Sequence, residues 1–352
     1  MSYEILTVDQ REPVLRRKMR SLLLEEDIRP DPHLDYSYVM VDDEDNVLAT
    51  GSLFRNTLRC LAVRSDLHGE GLMGRLVAHL LQVELERGFH NSFLCTKPEY
   101  KDLMRDMGFY EIVSVPGVIF MESRRDGFKK WVASLQEILG PADTEKRCAI
   151  VMNANPFTRG HRYLAEQAAA SSDRVVVFLV EEENDEIPFS VRLKLAKEGL
   201  ADLPNVTVLP SSPYIISQAT FPSYFLKDAN EAAKAPVSVD LAVFRRFAPE
   251  LGITQRWVGE EPESPVTRLY NETMLESLPL SGIECHVIPR LTVDGRLISA
   301  RTVRAALREG DMETVREMTP ESTYTFFASE EGQELIQALR EKNRAVKVPL
   351  DE

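Results

Sequence analysis

Residues 152–170, MNANPFTRGHRYLAEQAAA, put a hydroxyl, a glycine and an imidazole into a proline-broken turn. Thr158, Gly160 and His161 stand where an apolar run, Cys148 to Met152, gives way to an Ala-rich helical pattern. A turn that opens a helix faces the helix's free amides, and these, with the helix dipole, favour an anion. Pro156 and Gly160 shape the turn and let the backbone come close to a ligand. Thr158 and His161 are three apart and share a face if both lie in the first helical turn. A hydroxyl and an imidazole would then meet one phosphate. The competing reading is structural, with Thr158 as an N-cap and His161 packed on the strand. A second cluster is LISARTVRAALREGD, residues 297–311. Ser299 has the side chain of an N-cap, Arg304 would lie one turn in, and Arg301 shares its face. A solvated basic face is the alternative for Arg301 or Arg308 taken alone.

Both clusters need elements to hold them. From Arg147 onward strand and helix alternate: CAIVMN, then GHRYLAEQAAA, RVVVFLVE, SVRLKLAKEGLADL and NVTVLPS. That order predicts an α/β domain with a doubly wound parallel sheet and right-handed crossovers. Such sheets bind ligands outside the carboxyl ends of their strands. Residues 1–125 predict a separate mixed α/β domain. It starts with a helix over Arg16–Glu26, a hairpin over 36–53 and a short strand at 58–63. A helix within 69–88 stopped by Gly88 follows, then a strand at 92–96 and a helix, glycine stop and strand. Residues 126–145 read as a connector containing a helix-like stretch, and 146–352 as the second domain with C-terminal helices.

A chain of 352 residues favours two domains. Apolar content of 43% with 28% charged residues is ordinary for a globular protein. No run of about eighteen apolar residues predicts a membrane-spanning helix. The first residues, MSYEILTVDQ, lack the basic-then-apolar order of a signal peptide. A cytoplasmic location is the expectation. Cys60, Cys95, Cys148 and Cys285 lie far apart and give neither a disulfide framework nor a zinc spacing, so no protein-held metal is expected. A net charge of −14 disfavours general nucleic-acid or membrane affinity, while leaving room for one basic pocket.

The two clusters, in this order and at opposite ends of one domain, resemble the signatures of the nucleotidyltransferase superfamily. Its turn reads His-or-Thr, any residue, Gly, His, and its second helix starts Ile-Ser-Ser/Ala-x-x-x-Arg. Four blocks between about Cys148 and Arg304 resemble the citrate lyase ligase family more closely. They are MNANPFTRGHRYLAEQAA, PFSVRLKLAKEGLADLPNVTVLPSSPYIISQATFPSYFLK, WVGEEPESPVTRLYNETM and VIPRLTVDGRLISARTVR. The resemblance implies use of ATP and acetate to acetylate a thiol on the citrate lyase acyl carrier subunit, releasing AMP and pyrophosphate. That thiol belongs to a CoA-derived prosthetic group. The resemblance also implies catalytic roles for His161, Thr158 and Arg304. Nucleotide contacts fall to Asn153, Asn155, Phe157, Gly160, Gly259, Glu260, Ile298, Ser299, Arg301 and Thr302, with Glu261 beside them and Mg²⁺ on the phosphates. HGEGLMGRLV, residues 68–77, is similar to the acyl-CoA loop of the GNAT acetyltransferases, Gln/Arg-x-x-Gly-x-Gly/Ala. His68 replaces the Gln/Arg and Met73 stands where a small residue is usual. This second resemblance implies a GNAT-like fold for 1–125 and contacts from His68, Gly69, Gly71 and Gly74 to a CoA-like arm.

The chemistry fits the residue types. A carboxylate of pKa about 4.3 is already ionised and needs no base to attack a phosphate. It needs alignment and neutralisation of developing charge. A thiol of pKa about 8.5 is mostly protonated at neutral pH and would be helped by a base. The sequence names none, and His68 qualifies only if the two domains face each other. Arg192 and Lys194 could reach phosphate, with a solvated helix face as the alternative. VEEENDEIPF, 180–189, reads as an exposed acidic loop that could carry carrier contacts. YIISQATFPSYFLKD, 214–228, falls in the family's substrate region, with Phe221 and Phe225 read as core. Two other functions stay open. One is an adenylyltransferase joining AMP to a phosphorylated acceptor such as pantetheine phosphate. The other is a non-catalytic module that docks citrate lyase.

Overall fold

Successive side chains of a strand point to opposite faces, and the strand Tyr36–Val41 (β2) uses both. In the structure, a computed structural model, Tyr38 and Met40 enter one apolar cluster while Val39 and Val41 enter another. The residues described are 3–9, 12–141, 145–182, 186–215, 221–222, 234–260 and 265–346. The chain forms two compact units, Met1–Ser134 with Ile216–Val243, and Leu135–Ile215 with Phe244–Glu352.

The first unit runs β1 (Glu4–Thr7), α1 (Pro13–Glu25), β2, β3 (Val47–Phe54), β4 (Thr57–Val63), α2 (Leu72–Glu86) and β5 (Phe93–Thr96). It continues with α3 (Lys101–Asp106), β6 (Tyr110–Val115) and β7 (Val118–Glu122). Its sheet has the order β1-β2-β3-β4-β5-β7-β6. All neighbours are antiparallel except β4 beside β5. Leu72, Leu76, Val77 and Leu80 of α2 cover one face, and Met19, Leu22 and Leu23 of α1 the other. β4 and β5 share a single register pair, Thr57 with Phe93. A cavity of about 520 Å³ is lined by Leu61 and Val63 of β4, Leu94 and Thr96 of β5, and His68 and Gly71 before α2. The stretch expected as a connector holds the helix α4 (Gly127–Leu139).

The second unit alternates as its sequence predicts. Its first half is β8 (Arg147–Met152), α5 (Arg159–Ser171), β9 (Arg174–Leu179), α6 (Phe189–Gly199) and β10 (Val206–Pro210). Then come α7 (Lys234–Phe247), which the division into units crosses, β11 (Ile253–Gly259), α8 (Pro265–Ser277) and β12 (Glu284–Ile288). A short hairpin, β13 (Thr292–Val293) and β14 (Arg296–Leu297), leads into four helices. These are α9 (Ala300–Glu309), α10 (Met312–Met318), α11 (Glu321–Ala328) and α12 (Glu330–Val346). The five-stranded sheet is parallel throughout, in the order β10-β9-β8-β11-β12. The chain order reverses between β8 and β11, which makes their carboxyl ends the topological switch point. One face is sealed by Leu164, Ala165 and Ala168 of α5, Leu195 and Ala196 of α6, and apolar residues of α9 to α12. Among the described residues no helix is long and apolar enough to cross a membrane.

Candidate active site

The turn of residues 153–158 leaves β8 at the switch point, and its geometry follows from a few bonds. Thr158 is the N-cap of α5, and its Oγ1 accepts from the amide of His161 at 3.4 Å. In return the amide of Thr158 donates to Nδ1 of His161 at 3.0 Å, closing a capping box with an imidazole in the usual place of a carboxylate. A backbone amide can only donate, so Nδ1 is the acceptor and the ring's own proton sits on Nε2. Phe157 lies behind the imidazole, ring centres 5.8 Å apart and nearly parallel. Phe157 is fully buried against Gly199, where a Cβ would come within 2.5 Å of its ring. Its side chain therefore presents no surface to a nucleotide; it supports His161. Burial pushes the pKa of His161 down to about 4, and the charge of nearby Arg290 adds to the effect. The imidazole is neutral at pH 7, a hydrogen-bond donor through Nε2–H and not a cation.

This gives stability a pH dependence with a definite sign. The folded pKa lies below the unfolded value of about 6.5, so between pH 6.5 and pH 4 the unfolded chain binds the extra proton. Stability falls as pH is lowered through that window and is unaffected by His161 above it. A protonated Nδ1 can no longer accept from Thr158. Denaturant unfolding at pH 7 and pH 5 is expected to show a larger loss for the wild type than for His161→Gln, which can retain the box without titrating.

The second cluster comes to the same turn. Ile298 packs on Gly160, its Cγ2 lying 3.5 Å from where a Cβ would be. Arg304, in the second turn of α9, donates through Nη1 to the carbonyl of Asn155 and through Nε to Glu186 at 3.2 Å. Arg308 shares the Glu186 carboxylate. Ser299 occupies the N-cap position of α9, but its hydroxyl makes no bond to the helix. Arg301 and Thr302 are exposed in the first turn. Gly259 ends β11, which neighbours β8 in the sheet, and Glu260 follows it. The Gly259 carbonyl accepts from Asn271 at 3.1 Å, and the Glu260 carbonyl from Arg290 at 2.9 Å. Glu261 lies outside the described residues, as do Phe225 and most of 214–228; Phe221 is buried.

Arg192 departs from both expectations held for it. It is fully buried, neither on a solvated face nor directed at a ligand. Its Nη1 donates to the carbonyl of Asn153 at 2.6 Å, to Oδ1 of Asn153 at 2.7 Å and to the carbonyl of Val180 at 3.0 Å. Nε and Nη2 bond the carbonyls of Ile187 and Glu182. Between Asn153, fastened by Arg192, and Asn155, fastened by Arg304, the backbone of Ala154 is left-handed with φ 46°. A non-glycine residue holds that conformation only where its surroundings impose it. The acidic stretch 180–189 is likewise not a free loop. Glu182 accepts from Asn153 at 3.2 Å, and Glu186 bridges two arginines; residues 183–185 lie outside the described set. Lys194 pairs with Glu331 at 3.5 Å and lies over the Phe326 ring. Glu186 and Arg290 are the residues that sequence reasoning did not single out, while Arg192 reads there as a phosphate ligand or a surface cation. Basic and acidic side chains flanking apolar runs were their only signal.

In the first unit, Gly69 and Gly71 adopt φ of 92° and 75°, and neither has another atom within 4 Å of the Cβ position. Gly74 is equally open. Gly71 serves as N-cap of α2. His68 lines the adjoining cavity and bonds the carbonyl of Val63 through Nε2 at 3.0 Å. Of the four cysteines, three are buried and Cys285 is partly exposed, all as free thiols. Among the described residues no cluster of three or more His, Cys, Asp or Glu side chains could hold a metal ion.

The family profile and the sequence relatives agree on the family. The family profile of the citrate lyase ligase C-terminal domain matches residues 147–327. The citrate (pro-3S)-lyase ligase of Escherichia coli K12 is 38% identical over 313 residues, covering 87% of this chain and 88% of the relative. That of Haemophilus influenzae is 34% identical, covering 93% and 98%. Among solved structures, an aminoglycoside 6'-N-acetyltransferase with coenzyme A covers 34% of this chain and 95% of its own, at 17% identity and a TM-score of 0.30. A GNAT acetyltransferase of Staphylococcus aureus covers 34% and 98%, at 14% identity and a TM-score of 0.29. A match over most of both chains at this identity, together with the profile across the second unit, makes this chain a member of the citrate lyase ligase family, and so a ligase.

Proposed function

We propose that the second unit uses ATP and acetate to acetylate the thiol of a CoA-derived group on the citrate lyase acyl carrier subunit, thereby activating citrate lyase. One observation carries the reading: His161 is fixed at the head of α5 with Nε2–H free of any protein acceptor among the described residues, in the same turn that Arg304 grips through Asn155. The amides of Arg159 and Gly160 also lack acceptors among the described residues, as the first amides of a helix do. At α9 the Ser299 hydroxyl is not used as a cap. These groups suit a polyphosphate.

In the first step an acetate oxygen bonds the α-phosphorus and the bond to the bridging oxygen breaks, so pyrophosphate leaves with the electron pair. His161 donates a hydrogen bond to phosphate oxygen, where negative charge builds up. Arg304 supplies positive charge at the opposite wall of the turn. Ser299 and the α9 amides, with Gly160, Gly259, Ile298, Arg301 and Thr302 around them, hold the nucleotide. Thr158 keeps the imidazole in its donor tautomer, while Asn153, Asn155 and Phe157 act from behind. Mg²⁺ would travel on the phosphates, since that ion keeps several waters and binds through substrate oxygens rather than a protein cage. In the second step the carrier thiolate bonds the acetyl carbon and AMP leaves. The open glycine loop and cavity of the first unit support binding of the CoA-like arm by His68, Gly69, Gly71 and Gly74, because amides at a helix start suit its phosphates.

The test is exchange of labelled pyrophosphate into ATP with acetate, with and without carrier. Acetate-dependent exchange is the expected result. Exchange that responds only to a phosphorylated acceptor would favour adenylyl transfer, and ATP binding without exchange a docking role.

A further inference from the structure

Helix α1 carries its charges in an unfavourable arrangement. Arg16, Arg17 and Lys18 crowd its N-terminal half, Arg20 follows at its middle, and no acidic residue lies in its first turn. Its acidic residues, Glu25 and Glu26 with Asp27, come at the other end. A helix dipole favours the opposite order, and like charges spaced three or four apart, as Arg17–Arg20 and Arg16–Arg20 are, repel. The N-cap, Glu12, makes no side-chain capping bond to offset this. The inner face needs none of these cations, because Met19, Leu22 and Leu23 supply its packing. Lys18 is engaged with the carbonyl of Asp45. Arg17 and Arg20 are exposed and make no hydrogen bond or ion pair among the described residues. Val14 and Leu24, 64% and 60% exposed, flank them on the same side. A shallow groove runs along Pro13, Arg16, Arg17, Arg20, Ser21 and Leu24.

The position of this face matters as much as its charge. The end of α1, at Glu26, Asp27 and Ile28, forms part of the wall of the 520 Å³ cavity. At about 1.5 Å per residue, Arg20 lies on the order of 10 Å from that wall along the helix. A cationic, partly apolar strip therefore leads to the cavity on a chain whose net charge is −14.

We infer that the outward face of α1 docks an acidic face of the thiol-bearing carrier protein, whose arm enters the adjoining cavity; this rests on the proposed acetylation of such a carrier. Charge complementarity selects the partner. A local cationic strip on an anionic chain attracts an acidic protein that the rest of the surface repels. The acidic end of α1 orients that partner, keeping its negative face over Arg16–Arg20. An anionic membrane is disfavoured, because the apolar stripe of α1 is turned into the core, unlike that of a helix lying in a bilayer surface.

The experiment uses the full chain, the holo carrier subunit of citrate lyase, and an Arg17→Glu/Arg20→Glu variant. Direct binding of the carrier by calorimetry is expected to weaken about tenfold or more, with most of its salt dependence lost. KM for the carrier should rise in step while kcat and carrier-free, acetate-dependent pyrophosphate exchange stay unchanged. Arg17→Lys/Arg20→Lys should behave as wild type. Carrier binding that ignores the reversal, or no carrier binding by the wild type, overturns the docking surface. So does wild-type binding to phosphatidylserine vesicles that the reversal abolishes. Carrier binding that depends on α1 without any acetate-dependent exchange overturns the proposed reaction and leaves the docking surface standing.

Discussion

His161→Ala is expected to slow acetate-dependent pyrophosphate exchange about a hundredfold or more, because one well-placed donor to developing charge contributes on the order of 3 kcal/mol to the barrier. Alanine also deletes half of the capping box, so a loss of rate alone could reflect a loosened turn. His161→Glu separates the two effects. A glutamate at this position rebuilds the box in its common form and sits well with the helix dipole. That variant should unfold no earlier than the wild type at pH 7, yet its carboxylate repels the phosphates and its exchange should fall at least as far. Thermal unfolding and exchange rates on the two variants decide the matter. Near-normal exchange in either would remove His161 from the chemistry, whatever the stability data say.

The contrast between these variants also marks what the sequence made legible. Thr-x-Gly-His at a strand-to-helix junction was readable because capping chemistry is local: the hydroxyl, the amide and the ring lie within four residues. The parallel sheet was readable for a similar reason. Uninterrupted apolar runs such as Val175–Leu179 mark strands buried on both faces. Other strands gave less signal. β1, at the sheet edge, is four residues with an exposed residue at each end, and β7, between β5 and β6, follows β6 after two residues without an alternating pattern. The burial of Phe157 was not legible, because its ring is held by Gly199 from another helix. Arg192 was hardest. In α6 it follows the same polar spacing as Lys194 and Lys197, and only the first of these is buried. What distinguishes it is a set of carbonyls just past the ends of β8 and β9, those of Asn153, Val180 and Glu182. Backbone acceptors carry no letter in the sequence, so a buried arginine that serves them looks like any surface cation until the chain is folded.

That arginine supports the second large expectation. Replacing Arg192 with Met should cost the second unit about 3–5 kcal/mol, because several acceptors lose a charged donor at roughly 1–3 kcal/mol each. Its carbonyl acceptors, buried at Val180 and Ile187 and partly buried at Asn153 and Glu182, would lose the guanidinium as donor. For a unit of this size, that corresponds to a fall in midpoint of roughly 10 °C. Arg192→Lys is the sharper test. Lysine keeps the charge, but a single ammonium cannot span acceptors that a planar guanidinium reaches from several edges. It should fold, with a smaller loss of stability, and release the carbonyl of Asn153. Ala154 would then lose one of the two arginine clamps on its left-handed backbone, keeping the Arg304 bond to Asn155. Because that turn orients His161, exchange should drop about tenfold or more, the scale set by small misplacements of aligned groups. The loss should appear in the maximal rate more than in KM for ATP, since Arg192 touches the turn and not the nucleotide. A lysine variant with wild-type unfolding and wild-type rate would mean that the turn holds its shape without the guanidinium. The two-clamp account of the site would then be wrong.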